Sequence, residues 1–294
     1  NWHKEYSVII DTFDLPLRYD FEHYELNETG KYQVFFEETQ GTALFKQYIW
    51  ASGNSGFALT GVGRNPQEYP TVSIENGIDG SRAIKLETKS TGQFGETVKM
   101  PIAAGNLFLG SFDVNNAVQK PLKATRFGLP FGKKPLQLKG YYKYTPGTQP
   151  FKAKDKNGNT VTIPGQEDEG DIYAVLYEAA ELDGKALDGN NVLTSEYIVA
   201  LARVEVEKKD EFTAFHVDFH YGSRIPIDWP KFIRDQRDPS DDGTGKYLPF
   251  SEKKMKNYEY NLAVVFTSSK YGAYFAGSVG STLCIDKVEI VCEK

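Results

Sequence analysis

The stretch Asp171-Ile-Tyr-Ala-Val-Leu-Tyr-Glu178 decides how the rest of the chain is read. Between its two acidic ends every residue is apolar or aromatic, and Ile172, Val175 and the two tyrosines favour extended backbone. A half-exposed strand alternates; a short run apolar on both faces belongs to a central strand. Asn261 to Ser268 reads the same way. Glu196 to Glu207 begins so, then ends with Val204 and Val206 against Glu205 and Glu207, which leaves one face wet. Other segments alternate or are short and apolar: Ser81 to Thr88, Leu107 to Asp113, Pro135 to Tyr144, Phe212 to Tyr221 and Ser281 to Cys292. Turn residues separate them at Gly77-Ile-Asp-Gly80, Asn157-Gly158, Asp183-Gly184 and Asp241-Asp-Gly243. Asn157-Gly158 predicts a small hairpin between Lys152-Ala-Lys154 and Thr160-Val-Thr-Ile163. Trp229 to Asp235 reads as one helical turn, and no long amphipathic helix is visible. Roughly ten short strands without intervening helices predict an all-β fold, an antiparallel β-sandwich or jelly roll.

Composition agrees and excludes several classes. The 294 residues include 18 Tyr, 19 Phe, 27 Gly and 14 Pro, a balance of strands and turns. A net charge of −6 is wrong for a general nucleic-acid binder, which needs a basic footprint. The longest apolar runs fall far short of the roughly 20 residues of a membrane span. The chain starts at Asn1 without Met and shows no signal peptide, so it reads as a processed or trimmed chain. Glu5 to Phe13 reads as a strand detached from the rest of the chain, so residues 1–16 are a terminal strand and linker and 17–294 the main domain. Cys284 and Cys292 lie in one terminal strand, about 26 Å apart at about 3.3 Å per residue. That is too far for a disulfide, so both read as free thiols.

The residues that could carry chemistry are few. No Gly-x-Ser-x-Gly elbow, phosphate loop or dinucleotide fingerprint is present. His216-Val-Asp218-Phe-His220 reads as the polar face of a half-buried strand, since three-point chelation along one strand is poor geometry. Glu167-Asp168-Glu169 reads as a solvated loop. Asp286 stands where the strand parity breaks: Leu283 and Ile285 share one face, Val288 and Ile290 the other. That predicts a bulge at Asp286-Lys287 or an inward carboxylate that needs a cation, an Arg or backbone N–H groups as partner. Sugar rings stack on exposed aromatics flanked by polar groups, so Trp50 with Asn54 in a glycine-rich loop, and Tyr142 with Tyr144 on one strand face, are candidate carbohydrate-binding residues. Packing in the core is the alternative for each.

Three segments in order, Asn106-Leu-Phe-Leu-Gly-Ser-Phe-Asp113, then Pro121-Leu-Lys-Ala-Thr-Arg-Phe-Gly-Leu-Pro-Phe131 with Lys134-Pro-Leu-Gln-Leu-Lys-Gly-Tyr-Tyr-Lys-Tyr-Thr-Pro-Gly147, and Phe266-Thr-Ser-Ser-Lys-Tyr-Gly-Ala-Tyr-Phe-Ala-Gly-Ser-Val-Gly-Ser-Thr-Leu-Cys-Ile-Asp-Lys-Val288, carry a resemblance. Together they resemble the putative carbohydrate metabolism domain of Bacteroidetes surface and secreted proteins, over roughly residues 17 to 293. The resemblance implies a galactose-binding-like jelly roll, similar to carbohydrate-binding modules, and an upstream immunoglobulin-like domain of which the 5–13 strand is a remnant. It implies export to the cell surface or periplasm, as in a lipoprotein, and a structural calcium ion between Glu22 and Asp286. It supplies no catalytic motif. The expectation is therefore a non-catalytic glycan-binding module; the alternatives are a structural or adhesion domain and an enzyme acting on glycans.

Overall fold

The computed structural model describes residues 14–39, 45–182, 185–237 and 243–294. The strand expected at residues 5–13 lies outside them. In chain order the sheet strands are β1 (Arg18–Tyr19), β2 (Trp50–Ala51), β3 (Thr71–Ile74), β4 (Ala83–Glu87), β5 (Asn106–Phe112), β6 (Thr125–Phe127), β7 (Leu129–Pro130), β8 (Pro135–Thr145), β9 (Asp171–Glu178), β10 (Ile198–Val204), β11 (Lys209–Asp218), β12 (His220–Tyr221), β13 (Tyr260–Thr267) and β14 (Thr282–Cys292). Sheet one has the order β11-β8-β14-β4-β3, with β1 also on β14. Sheet two has the order β6-β5-β13-β9-β10-β12, with β2 on β5 and β7 on β13. The pairings within both are antiparallel, and the chain passes repeatedly from one sheet to the other, giving an antiparallel β-sandwich of the jelly-roll kind.

Strand parity sets the layers. In sheet one, Ile84, Leu86, Leu138, Tyr142, Tyr144, Phe215, Leu283 and Ile285 turn inward, while Lys139, Lys143 and His216 face away. In β9 the even residues Ile172, Ala174 and Leu176 join that inter-sheet core. The odd residues Tyr173, Val175 and Tyr177 form a second apolar layer with Phe108, Phe127, Leu187, Val192 and Tyr247 on the outer face of sheet two. Chain from the 185–197 and 243–250 regions roofs this face. That is why Asp171–Glu178 is apolar throughout: it is buried on both sides and pairs with β10 and β13.

The parity break at Asp286 is a bulge. Against β8, Lys139 pairs with Glu289 and Tyr141 with Asp286, so Lys287 and Val288 oppose Gly140 alone. Lys287 takes a left-handed φ of 46°. The extra residue returns Val288 and Ile290 to the core side that Leu283 and Ile285 occupy. The 152–154 and 160–162 segments pair as the expected hairpin, residues Lys231–Arg234 form the expected helical turn, and both cysteines are free.

Glu167-Asp168-Glu169 departs from the solvated loop read from its charges. Glu167 and Glu169 are exposed, but Asp168 is buried. Its Oδ2 accepts hydrogen bonds from Ser269 Oγ at 2.6 Å, Ser281 Oγ at 2.7 Å and the Ser278 N–H at 2.8 Å; its Oδ1 accepts from the Glu169 N–H at 3.0 Å. A Cβ at Gly277 would sit 2.4 Å from Ser269 Oγ, so only glycine lets this serine-rich turn close on the carboxylate. His216 and Asp218 lie exposed on β11 and His220 on β12, in different sheets, so the three do not form a cation site.

Candidate functional site

Trp50, the expected platform, is 4 % exposed and lies in the inter-sheet core. Its ring packs edge-on to Tyr19 at 5.0 Å and against Phe21 at 5.4 Å. Its Nε1 donates to Glu37 at 2.8 Å, and burial pushes that carboxyl up to about 7. Asn54 is fully buried: Nδ2 donates to the Thr71 carbonyl at 2.8 Å and Oδ1 accepts from the Thr71 N–H at 3.1 Å. It staples the start of a short helix, Asn54–Ala58, to β3. Tyr142 and Tyr144 share a face as expected, and that face is the core. None of the four offers a surface to a sugar. Burial by the opposite sheet is the reason, and a single strand's pattern does not say which face meets it.

Glu22 and Asp286 do converge, on the turn at residues 77–82, but as hydrogen-bond acceptors. Asp286 Oδ2 accepts from the Ile78 N–H at 2.6 Å and Ser81 Oγ at 3.0 Å; Oδ1 accepts from the Lys287 N–H at 2.7 Å. Glu22 Oε1 accepts from the Arg82 N–H at 3.0 Å. These donors aim hydrogens at the lone pairs that calcium would need, and no group of three potential ligands occurs among the described residues. The pair does not fit a calcium cage; it holds a turn. A chelator is accordingly expected to leave the melting temperature unchanged, whereas Asp286→Ala should cost about 2 kcal/mol by orphaning buried donors. A chelator-induced fall in a thermal melt would contradict this.

A cavity of about 200 Å³ opens on the outer face of sheet two. Strand register builds its floor. Phe108 pairs with Val265, Val265 with Tyr173 and Tyr173 with Arg203, forming one transverse row. Asn106, Thr267 and Asp171 form the adjacent row, two residues along the same face. Asp171 and Arg203 are thus diagonal neighbours on β9 and β10. They form a bidentate ion pair, Nε to Oδ1 at 2.9 Å and Nη2 to Oδ2 at 2.7 Å. Both side chains are largely buried, and fork-to-carboxylate geometry is the strong form of such a pair.

Around this pair stands an aromatic and cationic cluster. The Arg237 guanidinium lies 4.3 Å from the Trp229 ring centroid and 6.0 Å from that of Tyr274. It donates to Tyr274 Oη and, at 3.1 Å, to Thr194 Oγ1. Burial raises the hydroxyl pKa of Tyr173 and lifts that of Tyr271 to about 12, so both remain protonated at neutral pH. Two buried polar atoms of residues lining the cavity have no hydrogen-bond partner: the Trp229 Nε1–H and Thr125 Oγ1. Such orphans are rare in native proteins and call for an explanation. The cavity is therefore lined by aromatic faces and a fixed ion pair, with these two orphans buried in its walls.

Sequence reading missed Arg203, Trp229, Arg237 and Tyr173. Charge at Asp171 and Arg203, on strands otherwise apolar, was a signal. Their diagonal relation depends on register. Of the stretch after Trp50, Gly53, Gly56, Phe57 and Thr60 line the cavity, whereas Trp50 and Asn54 do not.

Comparison with known proteins bears on both fold and activity. A putative glycoside hydrolase from Bacteroides thetaiotaomicron is 41 % identical, with a TM-score of 0.77, and the match covers 96 % of this chain and 72 % of that one. A putative glycoside hydrolase from Bacteroides vulgatus is 36 % identical, with a TM-score of 0.76, covering 96 % of this chain and 100 % of that one. A family 11 carbohydrate-binding module of Clostridium thermocellum matches at 8 % identity and a TM-score of 0.34, too remote to bear on the site. No curated protein matches the chain. The expectation of a non-catalytic module is corrected by the first two structures, whose names point to hydrolysis. It rested on the lack of a catalytic motif, and glycosidases need only two acids brought together by the fold, which leaves no local signature. The model of the putative carbohydrate metabolism domain matches residues 20–291, nearly all of the sandwich just described, and the chain belongs to that family.

Proposed function

We propose that the cavity over sheet two is a saccharide site and that the chain uses it in glycan processing. The observation that carries this is the bidentate Asp171–Arg203 pair on the floor of a cavity walled by Tyr173, Trp229 and Tyr274. Sugar hydroxyls supply both donors and acceptors, and sugar C–H faces suit aromatic walls. Asp171 spends one lone pair per oxygen on Arg203 and keeps others for substrate hydroxyls. Membership of a carbohydrate metabolism family supports the reading, as do relatives named putative glycoside hydrolases. Among the described residues lining the cavity, Asp171 is the one carboxylate, and so the first candidate for one of the two acids that glycoside cleavage needs; the described lining supplies no second.

The test is a panel of oligosaccharides titrated against the protein by calorimetry, with release of reducing sugar measured in the same samples. A hit is expected to weaken about fivefold to tenfold in Trp229→Leu, which removes the aromatic face. Any hydrolysis is expected to fall in Asp171→Asn. Binding or turnover indifferent to both changes would remove the cavity from the function.

A further inference from the structure

The cavity's walls differ in chemistry according to the segments that supply them. The ion pair, Trp229, Arg237, Asn190 and Thr194 come from the ends of β9 and β10 and from the 189–194 and 229–237 segments. The facing wall comes from helix α1 (Asn54–Ala58), helix α2 (Gly92–Thr97) and residues 98–100 and 112–118. It presents Phe57, Phe94, Val98, Met100, Phe112 and Val118. These segments pack on one another: a Cβ at Gly56 would meet Phe112 at 3.1 Å and Ala117 at 3.5 Å, and one at Gly92 would meet Val62 at 3.0 Å. Phe94 and Val118 are 40 % and 37 % exposed, and their neighbours Leu59, Val62 and Val114 are exposed too. Three of the nine large hydrophobic side chains exposed among the described residues, Phe94, Val114 and Val118, belong to these segments, and Leu59 and Val62 follow helix α1 directly.

A bare sugar does not suit that wall. Its hydroxyls would lose water there and gain no partner, at a cost of about 1–3 kcal/mol for each group. An apolar molecule alone would leave unused the Asp171 lone pairs that Arg203 does not take. One ligand class satisfies both walls. Resting on the saccharide reading above, we infer that the glycan carries an apolar, ring-sized aglycone: an aryl glycoside, with its sugar at the Asp171–Arg203–Trp229 end and its ring against Phe94 and Val118. Three of the six wall residues are phenylalanines, which suits an aromatic partner.

Matched phenyl and methyl 1-thioglycosides of D-glucose, D-galactose, D-mannose and D-xylose test this by calorimetry, with phenol as the aglycone alone. The sulfur linkage resists hydrolysis, so turnover does not disturb the titration. For the sugar that fits, the phenyl thioglycoside is expected to bind about tenfold or more tighter than the methyl one. Phe94→Ser with Val118→Ser, both at exposed positions that tolerate polarity, should shrink that preference to under about threefold. The same change should leave the methyl thioglycoside's affinity unaltered. Equal binding of phenyl and methyl forms would overturn the aglycone inference and leave the saccharide site standing. Phenol binding as tightly as the phenyl thioglycosides would overturn the inference, because the sugar would then contribute nothing. No binding of any thioglycoside up to about 10 mM would sink the saccharide reading and the inference with it.

Discussion

Arg203→Ala is expected to destabilise the protein by about 3–5 kcal/mol, a fall of about 5–8 °C in melting temperature for a chain of this size. The substitution leaves the Asp171 carboxylate, 4 % exposed and opposite Thr267 in the sheet, without its counter-ion. Breaking one side of a buried pair costs far more than the pair itself contributes. The double change Asp171→Leu with Arg203→Met removes both charges and fills similar volume, so most of the lost stability should return. Saccharide binding should not return with it. Denaturation curves for the single and double variants, set beside titrations, separate the two roles. A single variant as stable as the parent would show that the pair is solvated after all, and the floor of the cavity would need redrawing.

The second large effect is expected at Asp168. Its alanine variant orphans two hydroxyls and two N–H groups, and should cost about 3 kcal/mol or more. The same site gives stability a pH dependence. Burial, offset only in part by the four donors, lifts this carboxyl from an ordinary 3.8 to about 6. The folded protein therefore holds the proton more tightly than the unfolded chain. The resulting stability is fully present below about pH 4 and is lost as the pH rises through 6. At a shift of about two units the contribution is roughly 3 kcal/mol at most. Asp168→Asn does not titrate. The melting-temperature difference between parent and Asp168→Asn should therefore move against the parent from pH 4 to pH 7. A constant difference across that range would show that the carboxyl keeps its ordinary affinity for protons.

How much of the molecule is legible in its sequence depends on range. Asp171–Glu178 begins and ends where its sequence indicated, because double-sided burial leaves a continuous apolar run. The break in parity at Asp286 pointed correctly to a bulge, since core packing on both sides of it demands an extra residue. Trp50 failed for a different reason: an indole beside glycine and asparagine is the local pattern of a sugar platform and of a core residue at the end of an edge strand alike. Asp168 escaped notice because its charged neighbours hide it, while its partners lie about a hundred residues away at Ser269, Ser278 and Ser281. The cavity was invisible for the same reason. Its floor comes from four strands in register, its polar wall from the 189–194 and 229–237 segments, and its apolar wall from segments before residue 119.

The place of β14 in sheet one has a kinetic consequence. This strand is the last in sequence, yet it is the hub that joins β8, β4 and β1, with Arg18 meeting Glu289 across nearly the whole chain. Until residues 282–292 are available, β8 has lost one neighbour, β4 has only β3, and β1 has nothing to pair with. The largest loop closures thus come at the end of folding, which slows assembly relative to a fold built from local hairpins. A chain emerging from a ribosome or a membrane channel can complete sheet two, whose strands end at Thr267, while sheet one stays open along its middle. Its exposed strand edges make that interval the time of greatest risk for aggregation.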